Sequence, residues 1–137
     1  MKSRLLSYRS LNTDLASLLL RLIFGGLFIW HGYTKIENYD QWITMSKSLI
    51  GLGAVVEYNL VAYAELICGI FITLGLLTRL AVIPLTISMS VAYFVAHKKD
   101  IFMMKELPFL FLLLTLVVFV LGSGRFSLDR LIFRNRS

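Results

Sequence analysis

The sequence predicts an all-α integral membrane protein: a four-helix bundle with a short interfacial segment between spans one and two. Three observations carry this. Of 137 residues, 58% are hydrophobic and only 16% charged, where a soluble domain of this size carries about 25% charged residues. The apolar residues sit in four blocks rather than at amphipathic spacing, each close to the length that crosses a bilayer. Gly, Pro and charged residues gather between the blocks, where turns are needed. We therefore expect one domain with spans near 15–33, 58–77, 80–97 and 107–122.

The first span follows a basic start (Lys2, Arg4, Arg9). Asn12, Thr13 and Asp14 supply N-caps, and Trp30 and Tyr33 suit an aromatic belt at the far end. No small-residue cleavage site follows, so it reads as an uncleaved span. Residues 37–57 form the one long connection. Residues 41–49, with Trp42, Ile43 and Leu49, suit a short helix on the membrane surface, broken by Gly51-Leu52-Gly53. Span two carries Glu65 well inside its apolar run. A tight Gly75–Arg79 link leads to span three, with Pro84 in its first turns. His97-Lys98-Lys99-Asp100 ends that span. Pro108 sits where span four is expected to begin, and Gly122-Ser123-Gly124 closes it.

Four spans place both ends of the chain on one side. That side holds eight basic residues (Lys2, Arg4, Arg9, Arg79, Arg125, Arg130, Arg134, Arg136). The other holds five (Lys35, Lys47, Lys98, Lys99, Lys105). This bias puts both termini in the cytoplasm. It also explains the net charge of +6 better than nucleic-acid binding, for which there is no motif. The lone Cys68 excludes an intramolecular disulfide and dithiol chemistry. No metal-ligand spacing or phosphate loop occurs, and no catalytic group is assigned.

A carboxylate at the depth of Glu65 costs about 2.5–3.5 kcal/mol to insert, so it needs a partner, a proton or water. Arg21, Gly25, Phe28, Gly32 and Lys35 share one face of span one, and the two glycines admit a close neighbour. Arg21 and Glu65 are separated by about 10 Å in depth, which argues against a direct salt bridge. Better placed are His31 and Lys35 at the outer end of span one. Span three adds a polar stripe of Thr86, Ser90, Tyr93 and His97. We expect a polar cavity in the outer half of the bundle, lined by Glu65, His31, Lys35, Tyr93 and His97. Thr86 and Ser90 would continue its wall, and Arg21 would mark its floor or snorkel to the cytoplasmic interface. The plainer readings stay open: a protonated Glu65 between helices, interfacial histidines, and a Thr/Ser stripe that only joins helices.

At these residues the sequence resembles the DoxX family of small four-span membrane proteins. The resemblance rests on Arg21-Leu-Ile-Phe-Gly-Gly followed by His31-Gly-Tyr-Thr-Lys35. It continues in Ala64-Glu65-Leu-Ile-Cys-Gly69 with Leu74-Gly-Leu-Leu-Thr-Arg79. His97 and Gly122-Ser-Gly-Arg-Phe-Ser-Leu-Asp129 complete it, so that it covers residues 15–131. It implies a bacterial inner-membrane protein linked to respiratory, thiol or oxidative-stress chemistry, since members resemble the membrane subunit of thiosulfate:quinone oxidoreductases. A quinone is the cofactor it suggests, and none is evident in the residues themselves. Two functions follow. One is a quinone- or lipophile-binding subunit of a redox complex, at most the membrane subunit of a quinone-linked oxidoreductase. The other is a non-catalytic anchor or assembly partner whose buried charges specify packing. The partners expected are the lipid bilayer, redox-complex proteins and a second copy of the chain.

Overall fold

The computed structural model describes residues 10–134; Lys2, Arg4, Arg9 and Arg136, counted in the charge bias, lie outside them. The described residues are helical, with no strand. Helix α1 spans Thr13–Glu37, α2 spans Tyr39–Met45 and α3 spans Ala54–Leu74. Helix α4 spans Thr78–Val91 and runs on through a π turn at Ala92–Ala96. Helix α5 spans Phe102–Leu121 and α6 spans Leu128–Phe133. Four of these, with α4 taken through Ala96, are long and apolar enough to cross a membrane. The chain is a multi-pass membrane protein with a four-helix bundle.

Local chemistry sets the helix ends. The Asn12 side chain accepts the Leu15 N–H at 3.0 Å, satisfying a donor that the first turn of α1 cannot pair internally. Gly75 ends α3 in the left-handed region (φ 72°), and the Leu76 N–H closes the turn on the Phe71 carbonyl at 2.8 Å. Span four differs from expectation. It begins at Phe102, so Pro108 lies within the helix rather than at its start. Neighbouring helices make such a proline tolerable in a membrane.

Helix α1 packs chiefly on α3, and α4 on α5. The predicted face of α1 is the buried one: Arg21, Gly25, Phe28 and Gly32 are all inside. Phe24, Phe28 and Phe111 meet at the centre, with Ile72, Val82, Leu85 and Val118 around them. Leu60, Ile67, Ile87, Leu113 and Leu116 point outward and are exposed, as a lipid-facing surface requires. Cys68 packs half-buried against the core.

The α1–α3 contact depends on missing side chains. A Cβ at Gly32 would stand 2.5 Å from the Leu66 nitrogen, 2.8 Å from the Ala62 carbonyl oxygen and 2.9 Å from the Leu66 Cα. All three are backbone atoms, so the helices themselves would have to part. Gly26, on the same helix, has nothing within 4 Å of its would-be Cβ. Gly32→Ala is expected to lower stability by about 2–3 kcal/mol, and Gly26→Ala to leave it unchanged or slightly raised. Unfolding in detergent checks the pair; equal effects would contradict the close approach.

Candidate functional site

Glu65 projects from the middle of α3 and is 2% exposed. Its Oε2 lies 2.5 Å from Nζ of Lys35, whose side chain is 30% exposed. Lys35 is in the last turn of α1 and can reach inward because its long stem lies along apolar surface. Tyr58, one turn into α3, donates its hydroxyl to the Lys35 carbonyl at 2.8 Å. The acid thus has a cation, and both charges stand on the wall of a cavity of about 300 Å³.

That cavity lies between α1, α3, α4 and α5. His31 shares its wall with the ion pair, and the His31 ring meets Phe111 edge-on, centroids 5.8 Å apart. The remaining surface is largely apolar, with Phe28, Val61, Met89, Ala92, Leu107 and Pro108 among the lining residues. The expected polar cavity is therefore an apolar one with a single charged wall.

Of the predicted lining, Glu65, Lys35 and His31 come together. Span three does not supply the rest. Thr86 and Ser90 turn their hydroxyls back onto their own helix, to the Val82 and Thr86 carbonyls at 2.9 and 2.8 Å. A hydroxyl satisfied four residues back has no need of the bundle interior. Tyr93 packs against Phe94 and Phe109, under Nζ of Lys105 at 4.8 Å. His97 pairs with Asp100 at 2.7 Å. The π turn Ala92–Ala96, closed by the His97 N–H on the Ala92 carbonyl at 3.1 Å, changes the helical phase where these residues sit. Met89, Ala92 and Ala96 face the cavity instead.

Arg21 neither floors this cavity nor snorkels. It is 1% exposed and reaches the opposite end of the bundle. Its Nη1 donates to the carbonyls of Ile72 and Thr73 at 3.4 and 3.3 Å, and its Nη2 donates to the Phe126 carbonyl. The first two lie in the last turn of α3, where a cation is favoured; the Ile72 carbonyl also accepts the Gly75 N–H at 3.1 Å. The third belongs to the turn after α5. That turn is tied down by Ser17 to the Gly122 carbonyl at 3.3 Å and by the Asp129 N–H to the Gly75 carbonyl at 3.1 Å. The Gly122–Asp129 motif is the lid of the Arg21 chamber.

Glu57 was not singled out by the sequence pattern. Its carboxylate accepts from Ser48 Oγ at 2.8 Å and from the amides of Leu49, Ile50 and Leu52 at 2.6, 3.1 and 3.0 Å. It gathers the loop between α2 and α3, and Leu49 of that loop lies on the cavity wall. An acid at the first turn of a helix, just after a Gly-x-Gly, was the available signal. Glu57→Ala is expected to speed proteolysis within residues 46–53 severalfold while leaving helix content intact by circular dichroism. Unaltered cleavage would mean that the carboxylate does not hold the loop.

Fold and site together define a small multi-pass membrane protein with buried charge at both ends of a four-helix bundle. The chain belongs to the DoxX family, whose model matches residues 16–98. A Bacillus subtilis protein named "Putative oxidoreductase CatD" is 31% identical over 124 residues, 90% of this chain and 91% of its own length. An uncharacterized Haemophilus influenzae protein is 30% identical over 122 residues, 84% and 89% of the two chains. An uncharacterized membrane protein of Mycobacterium tuberculosis is 37% identical over 71 residues, 51% and 44%. No solved structure gives a significant match.

Proposed function

We propose that the cavity beside Lys35 and Glu65 binds the head ring of a quinone or similar lipophile, and that the protein serves a redox complex as its membrane subunit. The observation that carries this is an ion pair at 2.5 Å on the wall of a largely apolar cavity of about 300 Å³. Ligand pockets combine apolar lining with a few convergent polar groups, and this volume is at the small end of their range. The Lys35 ammonium can donate to a ring carbonyl, and Glu65 can exchange a proton with the bound ring. His31 offers a second exchange group on the same wall. The word oxidoreductase in the Bacillus subtilis relative's name is in keeping with this reading. The orientation that goes with it puts the Lys35 end outward from a bacterial inner membrane. Its support is the arginines Arg79, Arg125, Arg130 and Arg134 at the end that holds the start of α1 and the lysines at the other.

Binding of a short-chain quinone to the purified protein tests the proposal. Glu65→Gln and Lys35→Met are each expected to weaken binding about tenfold, which corresponds to about 1.4 kcal/mol. His97→Gln is expected to leave it unchanged. Equal affinity in all four proteins, or none in the wild type, would remove the assignment.

The second reading is a packing or assembly subunit, in association with redox-complex proteins or a second copy. It draws on the filled aromatic centre of Phe24, Phe28 and Phe111 and on Arg21, whose terminal nitrogens donate to backbone carbonyls. The same assay separates the two, because a packing role gives no ligand signal.

A further inference from the structure

Helix α4 brings one hydroxyl to the wall of the Lys35–Glu65 cavity, that of Ser88. We infer that Ser88 is a second anchor for the ligand of this cavity, and that the ligand is a para-quinone, whose two carbonyls stand at opposite ends of one ring. This rests on the reading of the cavity as a quinone site.

The hydroxyls on either side of Ser88 are already spent. Thr86 and Ser90 each donate to the carbonyl four residues back, and Thr73 does the same on α3. The matching acceptor for Ser88 is the Pro84 carbonyl. The Ser88 hydroxyl bonds neither to it nor to any other of the described residues. Nor is this oxygen sealed in. Among the described residues, the enclosed side-chain atoms that lack a partner are Arg21 Nε and Thr78 Oγ1. Ser88 is half-buried and its hydroxyl keeps accessible surface. Its helix face is the cavity face: Val91 and Ala92, three and four residues on, stand on the same side and line the same cavity. Ile87, next to it, turns outward. A hydroxyl without a partner in apolar surroundings is unfavourable, and a ligand carbonyl in the cavity supplies the partner.

The placement of the donors selects the ligand. Lys35 belongs to α1 and Glu65 to α3, which pack chiefly on each other, while Ser88 belongs to α4, which packs chiefly on α5. The cavity lies between these two pairs, so its hydrogen-bond donors come from both. Lys35 Nζ donates to one carbonyl of the ring and Ser88 Oγ to the other. Phe28, Met89 and Phe111 line the wall as well and offer apolar and aromatic surface to the ring. An ortho-quinone carries both carbonyls on one edge and leaves Ser88 unpaired. A ring with a single carbonyl is held by Lys35 alone, because the charge-assisted bond is the stronger.

The test uses the full chain in detergent and two probes: a short-chain para-benzoquinone, and a cyclohexenone that carries the same tail and one carbonyl. Ser88→Ala is expected to weaken para-quinone binding about fivefold, the loss of one neutral hydrogen bond. Cyclohexenone binding is expected to be the same in wild type and Ser88→Ala. Alanine favours the helix, so without ligand Ser88→Ala is expected to unfold at the wild-type temperature or above; lost affinity then has no source in misfolding. Infrared spectra of the saturated complex give a second readout. Both carbonyl bands of the bound para-quinone are expected below the free frequency. Ser88→Ala returns one of them toward it, and Lys35→Met returns the other. Equal para-quinone affinity in wild type and Ser88→Ala, or carbonyl bands that do not move, overturns the role of Ser88 and leaves the quinone site standing. Equal weakening of both probes means a reshaped cavity and overturns it too. A wild type that binds no para-quinone removes the quinone reading itself, and this inference with it.

Discussion

Lys35→Met is expected to lower the stability of the folded bundle by about 3 kcal/mol, whereas Glu65→Gln should cost about 1 kcal/mol. The inequality follows from burial. Glu65 is 2% exposed, and its carboxylate has Nζ of Lys35 at 2.5 Å as its single cation among the described residues. Removing the cation leaves a charge enclosed by helices, and breaking a buried pair from one side costs about 3–5 kcal/mol. The partial exposure of Lys35 places the effect at the low end of that range. Removing the acid instead leaves an ammonium that is 30% exposed and can swing toward water along its flexible stem. The double variant Lys35→Met, Glu65→Gln should recover most of the loss, because no buried charge remains. Reversible unfolding of the four proteins in detergent measures this. Equal losses for the two single variants, or a double variant worse than either, would mean that the pair does not neutralise the acid.

Arg21→Met is expected to cost about 3 kcal/mol. Met keeps the apolar start of the stem but ends short of the guanidinium, so hydrogen bonds and some packing at a 1% exposed position are lost together. The carbonyls of Thr73 and Phe126 lose their donor, while that of Ile72 keeps the Gly75 N–H at 3.1 Å; two lost bonds at about 1 kcal/mol each, with the lost packing, make up the cost. The damage should be local: amide exchange at Gly75–Leu77 and at Ser127–Asp129 should accelerate, because these turns are the walls that Arg21 holds together. Arg21→Lys should recover only part of the loss, since one ammonium cannot copy the fork of donors that reaches α3 and the α5–α6 turn together. Wild-type stability in Arg21→Met would show that the carbonyls find other partners.

The four spans were legible because long apolar runs bounded by Gly, Pro and charge have few other uses in a chain. The α1 face was legible too, since Arg21, Gly25, Phe28 and Gly32 keep helical spacing and the glycines mark where a neighbour approaches. Lys35 as a neighbour of Glu65 followed from depth alone. Span three misled for a physical reason. A Thr or Ser in a helix can satisfy its hydroxyl on the carbonyl four residues back, as Thr86 and Ser90 do, so a polar stripe need not face inward. The π turn that shifts Tyr93 and His97 has no marker in the residue types. Arg21 and Glu57 were illegible in a related way. Their partners are backbone groups, which every residue carries and no pattern reveals. The depth of Arg21 could still have been matched to the end of span two, where unpaired carbonyls must lie.

The most direct measurement is photolabelling with a reactive quinone analogue, followed by peptide mapping. Labels are expected at the cavity-lining residues Phe28, His31, Lys35, Val61, Glu65 and Phe111, displaced by an unlabelled quinone and lost in Glu65→Gln. Labels confined to outward residues such as Tyr63 and Ile67, undiminished by the competitor, would contradict it.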